Sequence, residues 1–202
     1  MGDVVVELSV SLDGFIAGPN DSPTNPLGDG GGRLFEWWSA GDECIGPAGD
    51  DRFRPPARSR AVASEMFGCG AIITGRRTFD IANGWGGRHP TGAPFFLLTH
   101  DPPDRHVGPG SEGTVVTDGI ESALEQARAI AGDRDIAVCA ASVAQQYLRA
   151  GLLDLIHLNL VPVLLGGGVR LFANLEDHPL DLECTRVVES DGVTHLRYRV
   201  VR

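Results

Sequence analysis

The chain has 202 residues, 42% hydrophobic and 22% charged, which is ordinary for a globular protein and fits a single domain over residues 1–202. Its formal net charge of −10 at pH 7 argues against nucleic acid or an anionic membrane as partner, because both bind basic patches. The longest apolar run, 152–165, is too short to span a bilayer.

The cysteines and histidines favour a cytoplasmic protein without a metal. The four cysteines lie far apart, and no histidine stands at metal-ligand spacing from another or from a cysteine. This pattern is typical of reduced thiols rather than of disulfides or a zinc site. The first residues lack the basic segment of a signal peptide and predict a strand instead.

The predicted elements alternate between strands and helices along the chain. Strands are expected at 4–11, 71–74, 94–99, 114–117, 135–139 and 153–164. Helices are expected at 33–39, 57–67, 119–131 and 143–150, with a long Gly/Pro/Asp loop at 18–32 and an irregular stretch at 40–56. A hairpin with Asp191-Gly192 as its turn ends the chain. This order predicts an α/β fold with a mainly parallel sheet and an antiparallel C-terminal edge.

Two of these strands carry polar residues on one face. Glu7 and Ser9 share a face of the first strand, and His157 and Asn159 share a face of the strand at 153–164. A central strand buried on both sides is normally almost entirely apolar, so these residues indicate a pocket. A buried Glu7 would have a raised pKa and could transfer a proton near neutrality. Alternatively, Glu7 pairs with a basic neighbour and His157 is a satisfied core histidine.

The last strand shows a similar alternation. His195, Arg197 and Arg199 share one face of it, opposite Leu196 and Tyr198. The two arginines suggest a solvated or interface face for all three residues.

Two strand-to-helix turns predict anion sites. Gly75-Arg76-Arg77-Thr78 follows a buried strand, and a glycine, two guanidiniums and a hydroxyl at a helix start suit a phosphate. The alternative is that both arginines are merely solvated at a helix end. The second turn, Ala140-Ala141-Ser142, occupies a place where glycines usually let the backbone approach a ligand.

Three stretches in order, VSLDGFIAGP (10–19), IITGRRTFD (72–80) and GLLDLIHLNLVPVLLGGGVRLF (151–172), resemble the dihydrofolate-reductase-like superfamily. The similarity is greatest to the branch with the C-terminal reductase domain of the riboflavin-biosynthesis deaminase/reductase. It implies a mixed, mostly parallel sheet of about eight strands flanked by helices, with NADPH as hydride donor and frequent homodimers.

The resemblance also implies roles for single residues. The backbone of Ile16 and Ala17 would face the nicotinamide carboxamide, and the turn from Gly75 to Thr78 would hold the cofactor phosphates. Thr99 and His100 would lie near the adenosine 2′-phosphate. The faces of the two central strands that carry Glu7, Ser9, His157 and Asn159 would line the substrate cavity.

The sequence departs from the family at two cofactor contacts. Asp101 stands where close relatives tend to have a basic residue, and it would repel a phosphate unless it is simply a turn residue. Ala140 and Ala141 stand where the family has a glycine pair or triplet; they add methyl groups and do not easily adopt φ > 0. Ser142 is expected to N-cap the following helix.

The sequence patterns that indicate substrate contacts are less specific than those for the cofactor. Glu36 is the nearest match to the proton-donating carboxylate of dihydrofolate reductases, but its surroundings do not align convincingly. Trp37, Trp38 and Trp85 could roof a flat ligand or pack in the core or a lid. Asp13 lies in a Leu-Asp-Gly turn, where it either shapes the turn or contacts the ligand.

These features favour an NADPH-dependent reductase that transfers hydride to a C=N or C=O of a small heterocyclic or sugar-linked metabolite, with Glu7 or a water it holds as proton source. The alternative is a cofactor-independent isomerase, cyclase or lyase of specialised metabolism on the same fold. In that enzyme Glu7, Ser9, His157 and Asn159 would steer the reaction by acid–base and hydrogen-bond effects. A ligand-binding protein without catalysis is a third reading.

Overall fold

The computed structural model describes residues 1–46, 50–175 and 179–202. The strands are β1 (Val4–Ser11), β2 (Phe15–Ala17), β3 (Ala71–Gly75), β4 (Phe95–Leu98), β5 (Gly113–Val116), β6 (Ile136–Val138), β7 (Leu155–Val161), β8 (Val169–Arg170), β9 (Leu182–Ser190) and β10 (Val193–Val200). The α-helices are α1 (Arg60–Met66), α2 (Arg76–Ile81), α3 (Ile120–Ala131) and α4 (Ala141–Arg149), and 3₁₀ helices span Gly31–Ser39, Ala57–Ser59 and Asn83–Gly87. None of the described helices is long and apolar enough to cross a membrane.

Eight of the strands form one sheet in the order β5-β4-β3-β6-β1-β7-β10-β9. All pairs from β5 to β7 are parallel, and β10 and β9 add two antiparallel pairs at one edge. The predicted α/β fold with a mostly parallel sheet and a C-terminal hairpin is therefore confirmed. The hairpin turns at Asp191-Gly192, where Gly192 has φ +74°, the left-handed conformation that such a tight turn requires.

Short elements were harder to predict. β2 and β8 form a separate two-stranded sheet, and at three and two residues they are too short to show an alternating pattern. The helix start expected at Gly75–Thr78 is present, but the extent of α2 was not predicted, because the helix has only six residues. The strand expected at 153–164 is shorter, since pairing covers only Leu155–Val161.

The two faces of the main sheet differ in their cover. On one face Val4, Val6, Ile73 and Val138 pack into a core with apolar residues of α3 and α4, including the fully buried Tyr147. The opposite face of β1 carries Glu7 and Ser9, and the 3₁₀ helix at 31–39 reaches it through an indole–hydroxyl hydrogen bond. One face is thus closed by apolar packing, whereas the other is polar at its centre.

The strand register arranges that polar face in two rows. Ser9 of β1 is the partner of Asn159 on β7, which in turn is the partner of His195 on β10. Glu7 is the partner of His157, and His157 is that of Arg197, one step along the same strands. Because side chains alternate along a strand, both rows project from the same face of the sheet.

The prediction for the final strand was wrong at one position. His195 is only 4% exposed, whereas Arg199 reaches the surface and pairs with Glu183. The alternation correctly grouped the residues on one face but gave no information about what covers it. Ser59, at the end of the 3₁₀ helix before α1, hydrogen-bonds His195, and the Trp37 ring packs against the same imidazole.

Candidate active site

A cavity of about 760 Å³ lies on the polar face of the sheet. Its walls include β1 and β7, the ends of β3 and β6, the starts of α2 and α4, and aromatic residues of the covering loops. A second cavity of about 350 Å³ shares Glu7 with it and also contains His157. A cavity of this kind, apolar with a few convergent polar groups, is the usual form of a small-molecule site.

The cavity brings together many of the residues selected from the sequence. Those in its wall are Glu7, Ser9, Ile16, Ala17, Gly75, Arg77, Thr78, Trp85, Ala140, Ala141, Ser142 and Asn159. His157 lies beside Glu7 but in the wall of the smaller cavity. Arg76, Thr99, His100, Asp13 and Trp37 are not part of the wall.

We call Glu7, Ser9, His157 and Asn159 the floor of the cavity. All four are buried, yet Glu7 Oε1, His157 Nε2 and Asn159 Nδ2 have no hydrogen-bond partner within the described part of the chain. An unpaired buried polar atom costs about 1–3 kcal/mol. Three such atoms on two neighbouring strands indicate a place where a ligand supplies the missing partners.

Glu7 and His157 form the proton-active part of the floor. Glu7 Oε2 lies 3.5 Å from His157 Nδ1, a long contact that only partly fits the alternative of a basic partner for Glu7. Burial raises the pKa of the Glu7 carboxyl above its usual value, and His157 opposes that rise. A carboxyl with a raised pKa holds its proton closer to neutral pH, as a general acid requires.

Ser9 and Asn159 are held by partners behind them. The indole of Trp37 donates to Ser9 Oγ at 3.1 Å. Asn159 Oδ1 lies 2.6 Å from His195 Nδ1, and His195 Nε2 lies 2.8 Å from Ser59 Oγ. Burial lowers the pKa of His195 to about 4, so its imidazole is neutral near pH 7.

Sequence reasoning missed His195 and Ser59 as supports of the site. His195 was placed on its strand correctly, and its register opposite Asn159 was the available signal. No local sequence pattern pointed to Ser59, because its contact with His195 spans 136 positions of the chain. Trp37 was expected to roof a ligand, but it is 2% exposed and lies behind Ser9, stacked on Trp38 at 4.2 Å.

We call Gly75–Thr78, Ala140–Ser142 and Thr99–Asp101 the rim. Gly75 ends β3 against the start of α4, where an added Cβ would lie 3.2 Å from Val143 Cγ2. A side chain at position 75 would therefore have to displace the Val143 methyl group slightly. Ala140 has φ −162°, an extended conformation that any residue adopts, so the alanine turn carries no backbone strain.

The expected cap of α4 was wrong. The N-cap position is Ala140, without a side-chain cap, and Ser142 lies exposed in the first turn. The helix thus begins two residues earlier than its hydroxyl suggested. Its first intrahelical donor is Ala144 N–H to Ala140, which leaves the earlier amides of α4 available to a ligand.

Both rim arginines are already paired. Arg77 donates to both carboxylate oxygens of Asp21, with Nε 3.0 Å from Oδ2. Arg76 pairs with Asp80 at 2.9 Å and also donates to the Asp101 carbonyl. Neither of the proposed alternatives, a phosphate site or free solvation, anticipated these carboxylates.

Three other candidates belong to turns. Asp13 accepts from Ser11 Oγ and from the amides of Leu165 and Gly166, contacts that hold its pKa at about 2 and tie the first turn to the loop after β7. Thr99 Oγ1 bonds the backbone of Asp101. His100 is exposed. The turn interpretation of Asp13 and Asp101 thus accounts for their contacts.

Of the three tryptophans, only Trp38 and Trp85 line the cavity, together with Phe35, Phe53 and Phe67. Trp85 has φ +49° and lies in a left-handed run from Asn83 to Gly87. A bulky residue in this conformation costs about 1–2 kcal/mol, a cost that is typical of ligand sites. The exposed Glu36 takes no part in the wall.

The residues within 1–46, 50–175 and 179–202 contain no cluster of three or more His, Cys, Asp or Glu side chains able to hold a metal ion.

The mixed eight-stranded sheet flanked by helices is a dihydrofolate-reductase-like, reductase-type fold. The sequence model of the RibD C-terminal domain matches residues 3–196. This chain therefore belongs to the RibD C-terminal domain family, as its three motifs suggested. Among curated protein sequences, none matches it.

Solved structures show the same fold at low identity. A putative riboflavin biosynthesis protein from Shewanella sp. PV-4 aligns with a TM-score of 0.70 at 22% identity, over 100% of both chains. RibD from Acinetobacter baumannii aligns at 0.63 and 18%, with all of this chain covering 59% of that protein. Dihydrofolate reductase from Enterococcus faecalis, complexed with NADP(H), aligns at 0.58 and 12%, over 100% and 98% of the two chains.

Proposed function

We propose that this chain is an NADPH-dependent reductase that acts on a C=O or C=N group of a small, flat metabolite. The observation that carries the proposal is Glu7, a buried carboxyl with one unpartnered oxygen in the wall of a cavity of about 760 Å³. The same cavity reaches the start of α4. A proton source and a binding place for phosphates thus belong to one site.

The backbone around the rim fits a dinucleotide. The free amides at the start of the nine-residue helix α4 suit a phosphate, and Gly75 lets the end of β3 lie against them. Ile16 and Ala17 are in the same wall, as binding of the nicotinamide end requires. NADPH, when bound, supplies a hydride.

The charges of the rim fit less well, since a phosphate must compete with Asp21 for Arg77 and with Asp80 and Asp101 for Arg76. We therefore expect weaker binding of NADPH than free arginines would give.

Glu7 would supply the proton. Its carboxyl is protonated to a higher pH than usual because burial raises its pKa, so it can donate to the oxygen or nitrogen of the reduced bond. The smaller cavity on its other side would let it regain a proton from solvent.

The paired arginines also favour a second candidate. If NADPH does not bind, the same floor would serve an isomerase, cyclase or lyase, with Glu7 moving a proton and Ser9 and Asn159 holding an oxygen. The salt bridges of Arg76 and Arg77 are the specific reason to keep this candidate.

A titration with NADPH, followed by nicotinamide fluorescence, separates the two. We expect wild type to bind, and Gly75→Ala to bind more weakly because its new methyl group crowds the start of α4. Gly32→Ala is the matched control, since no atom lies within 4 Å of a Cβ there. If NADPH does not bind at concentrations on the order of 1 mM, the isomerase, cyclase or lyase becomes the favoured function.

The assembly we propose is a homodimer. β9 forms an edge of the sheet, and Val187 and Leu182 on it are 59% and 44% exposed. A long edge strand with exposed apolar residues is a ready pairing surface. Sedimentation equilibrium should give twice the chain mass, and Val187→Lys should shift the protein toward monomer.

A further inference from the structure

We infer that Ser9 and Asn159 form a pair of hydrogen-bond donors of fixed polarity, which holds the acceptor atom of a neutral substrate bearing a carbonyl or imine group. The inference deepens the proposed function by naming the substrate chemistry of the floor. It rests on that function for the place of the substrate, but not on the binding of NADPH.

Ser59 sets the polarity of Asn159. The Ser59 side chain is fully buried, and His195 Nε2, at 2.8 Å, is its hydrogen-bond partner within the described chain. A buried hydroxyl must place its hydrogen on an acceptor, so Nε2 is that acceptor. In a neutral imidazole the hydrogen then lies on Nδ1, which faces Asn159 at 2.6 Å.

Asn159 therefore turns its amide oxygen toward His195. The NH₂ group is left at the other end, and Asn159 Nδ2 is buried without a partner in the described part of the chain. Asn159 is 1% exposed and lies in the cavity wall. Because the oxygen is turned toward His195, Asn159 presents its NH₂ group to a ligand and acts there as a donor.

Trp37 sets the polarity of Ser9 by the same reasoning. An indole N–H can only donate, and it donates to Ser9 Oγ. The Ser9 hydroxyl therefore keeps its own hydrogen for another acceptor. Ser9 is the register partner of Asn159, which places the two donors on adjacent strands about 5 Å apart.

Two donors whose orientation is set by Trp37 and His195 can stabilise a substrate oxygen or nitrogen that gains negative charge during the reaction. In the proposed reduction, a hydride that NADPH would supply would form a C–H bond at the carbonyl carbon, the π electrons would move to the oxygen, and that oxygen would take the Glu7 proton. Glu7 stands two residues from Ser9 on the same face of β1, about 7 Å along the strand.

The charges of the cavity restrict the substrate further. The arginines in its wall, Arg52 and Arg77, are each paired with an aspartate. An anionic substrate would thus find no free cation among the described wall residues, and an amine would meet only donors at Ser9 and Asn159. Glu7 can still accept from an amine, but the donors at Ser9 and Asn159 favour a neutral, flat compound with a carbonyl or imine acceptor.

The first test is the tautomer of His195, read by ¹⁵N NMR of the imidazole in wild type. We expect the hydrogen on Nδ1. Ser59→Ala should populate the other tautomer, whereas Ser64→Ala, exposed on the neighbouring helix, should leave the signal unchanged. A hydrogen on Nε2 in wild type would turn the amide oxygen of Asn159 toward the cavity and overturn the inference.

The second test measures binding without cofactor. Coumarin carries one carbonyl on a flat bicyclic frame, naphthalene has the same size without it, and 2-naphthylamine offers a donor. We expect coumarin to bind about tenfold more tightly than either, the value of one or two net hydrogen bonds. The infrared carbonyl band of bound coumarin should move to lower frequency.

Ser9→Ala and Asn159→Asp should each remove the coumarin preference, and Asn83→Asp, at an exposed position, should keep it. Coumarin binding no tighter than naphthalene in folded wild-type protein would overturn the inference. Because no cofactor is present, failure of NADPH binding alone would overturn only the proposed reductase.

Discussion

On the floor of the cavity, buried atoms of Glu7, His157 and Asn159 lack partners within the described residues, whereas at the rim Arg76 and Arg77 already bond to carboxylates. Parts of both regions line the larger cavity, but their polar groups differ in whether they already have partners. The floor contains buried polar atoms to which a ligand can hydrogen-bond, whereas the rim arginines already form salt bridges with aspartates of the chain.

This difference separates two demands on the site. A substrate gains binding energy on the floor by completing hydrogen bonds that are otherwise missing. A phosphate at the rim must first break a salt bridge and therefore gains less. In the proposed reductase, the substrate end of the site would therefore be preorganised and the cofactor end would bind more weakly.

The largest expected effect is the loss of stability when His195, which supports Asn159 of the floor, is replaced. His195→Phe should lower the free energy of unfolding by about 3 kcal/mol, because the buried Ser59 hydroxyl and Asn159 amide oxygen would both lose their hydrogen-bond partner. Urea denaturation measures this loss, with His100→Phe on the surface as control. A loss no larger than that of the control would mean that the row through Asn159 is not held together by hydrogen bonds.

The acid sensitivity of wild type should follow from the same residue. The pKa of His195 is lowered to about 4 from 6.5 in the unfolded chain, so the unfolded state binds its proton first as the pH falls. Stability should then decline between about pH 6.5 and 4, and less steeply in His195→Phe.

Glu7→Gln tests the floor in the opposite sense, because this substitution should stabilise the protein at high pH. The raised pKa of Glu7 stabilises the fold below the unfolded value of 4.5, and that contribution is lost as the pH rises through the folded pKa. At high pH the neutral amide of the variant avoids the buried charge, so the variant should exceed wild type by about 2 kcal/mol in unfolding free energy. Parallel pH profiles of the two proteins would contradict a buried, unpaired carboxyl.

At the rim, releasing one arginine should strengthen cofactor binding. Asp21→Asn removes the carboxylate that holds Arg77, and a freed guanidinium should raise NADPH affinity about tenfold. Asp104→Asn, an exposed change close to the rim, is the control. Equal affinities in the two variants would show that Arg77 does not meet a phosphate.

The smallest effect is expected at the alanine turn. Replacing Ala140 and Ala141 with glycine should change NADPH affinity by less than about threefold, since Ala140 already has an extended backbone. Calorimetry with NADPH checks this, and a much larger gain would mean that the methyl groups, rather than the paired arginines, obstruct the phosphates.

The sequence predicted the sheet well, because strand alternation and the Asp-Gly turn are local patterns. It also placed Glu7, Ser9, His157 and Asn159 on one face, which the register of β1 and β7 reproduces. The short elements β2, β8 and α2 left too few residues for any period to show.

The partners of the predicted residues could not be read from the sequence. Asp21 reaches Arg77 across 56 positions and Trp37 reaches Ser9 across 28. Such contacts depend on how loops fold over the sheet, and no spacing rule describes them. For the same reason Trp37 was expected in the ligand wall, although its indole is used behind Ser9.

The most direct test of the reductase proposal maps where NADPH binds, by backbone amide NMR shifts of the ¹⁵N-labelled protein. The account predicts the largest shifts at Ala141 and Ser142 in the first turn of α4 and at Gly75 beside them. Shifts confined to other regions, or none at saturating cofactor, would contradict it.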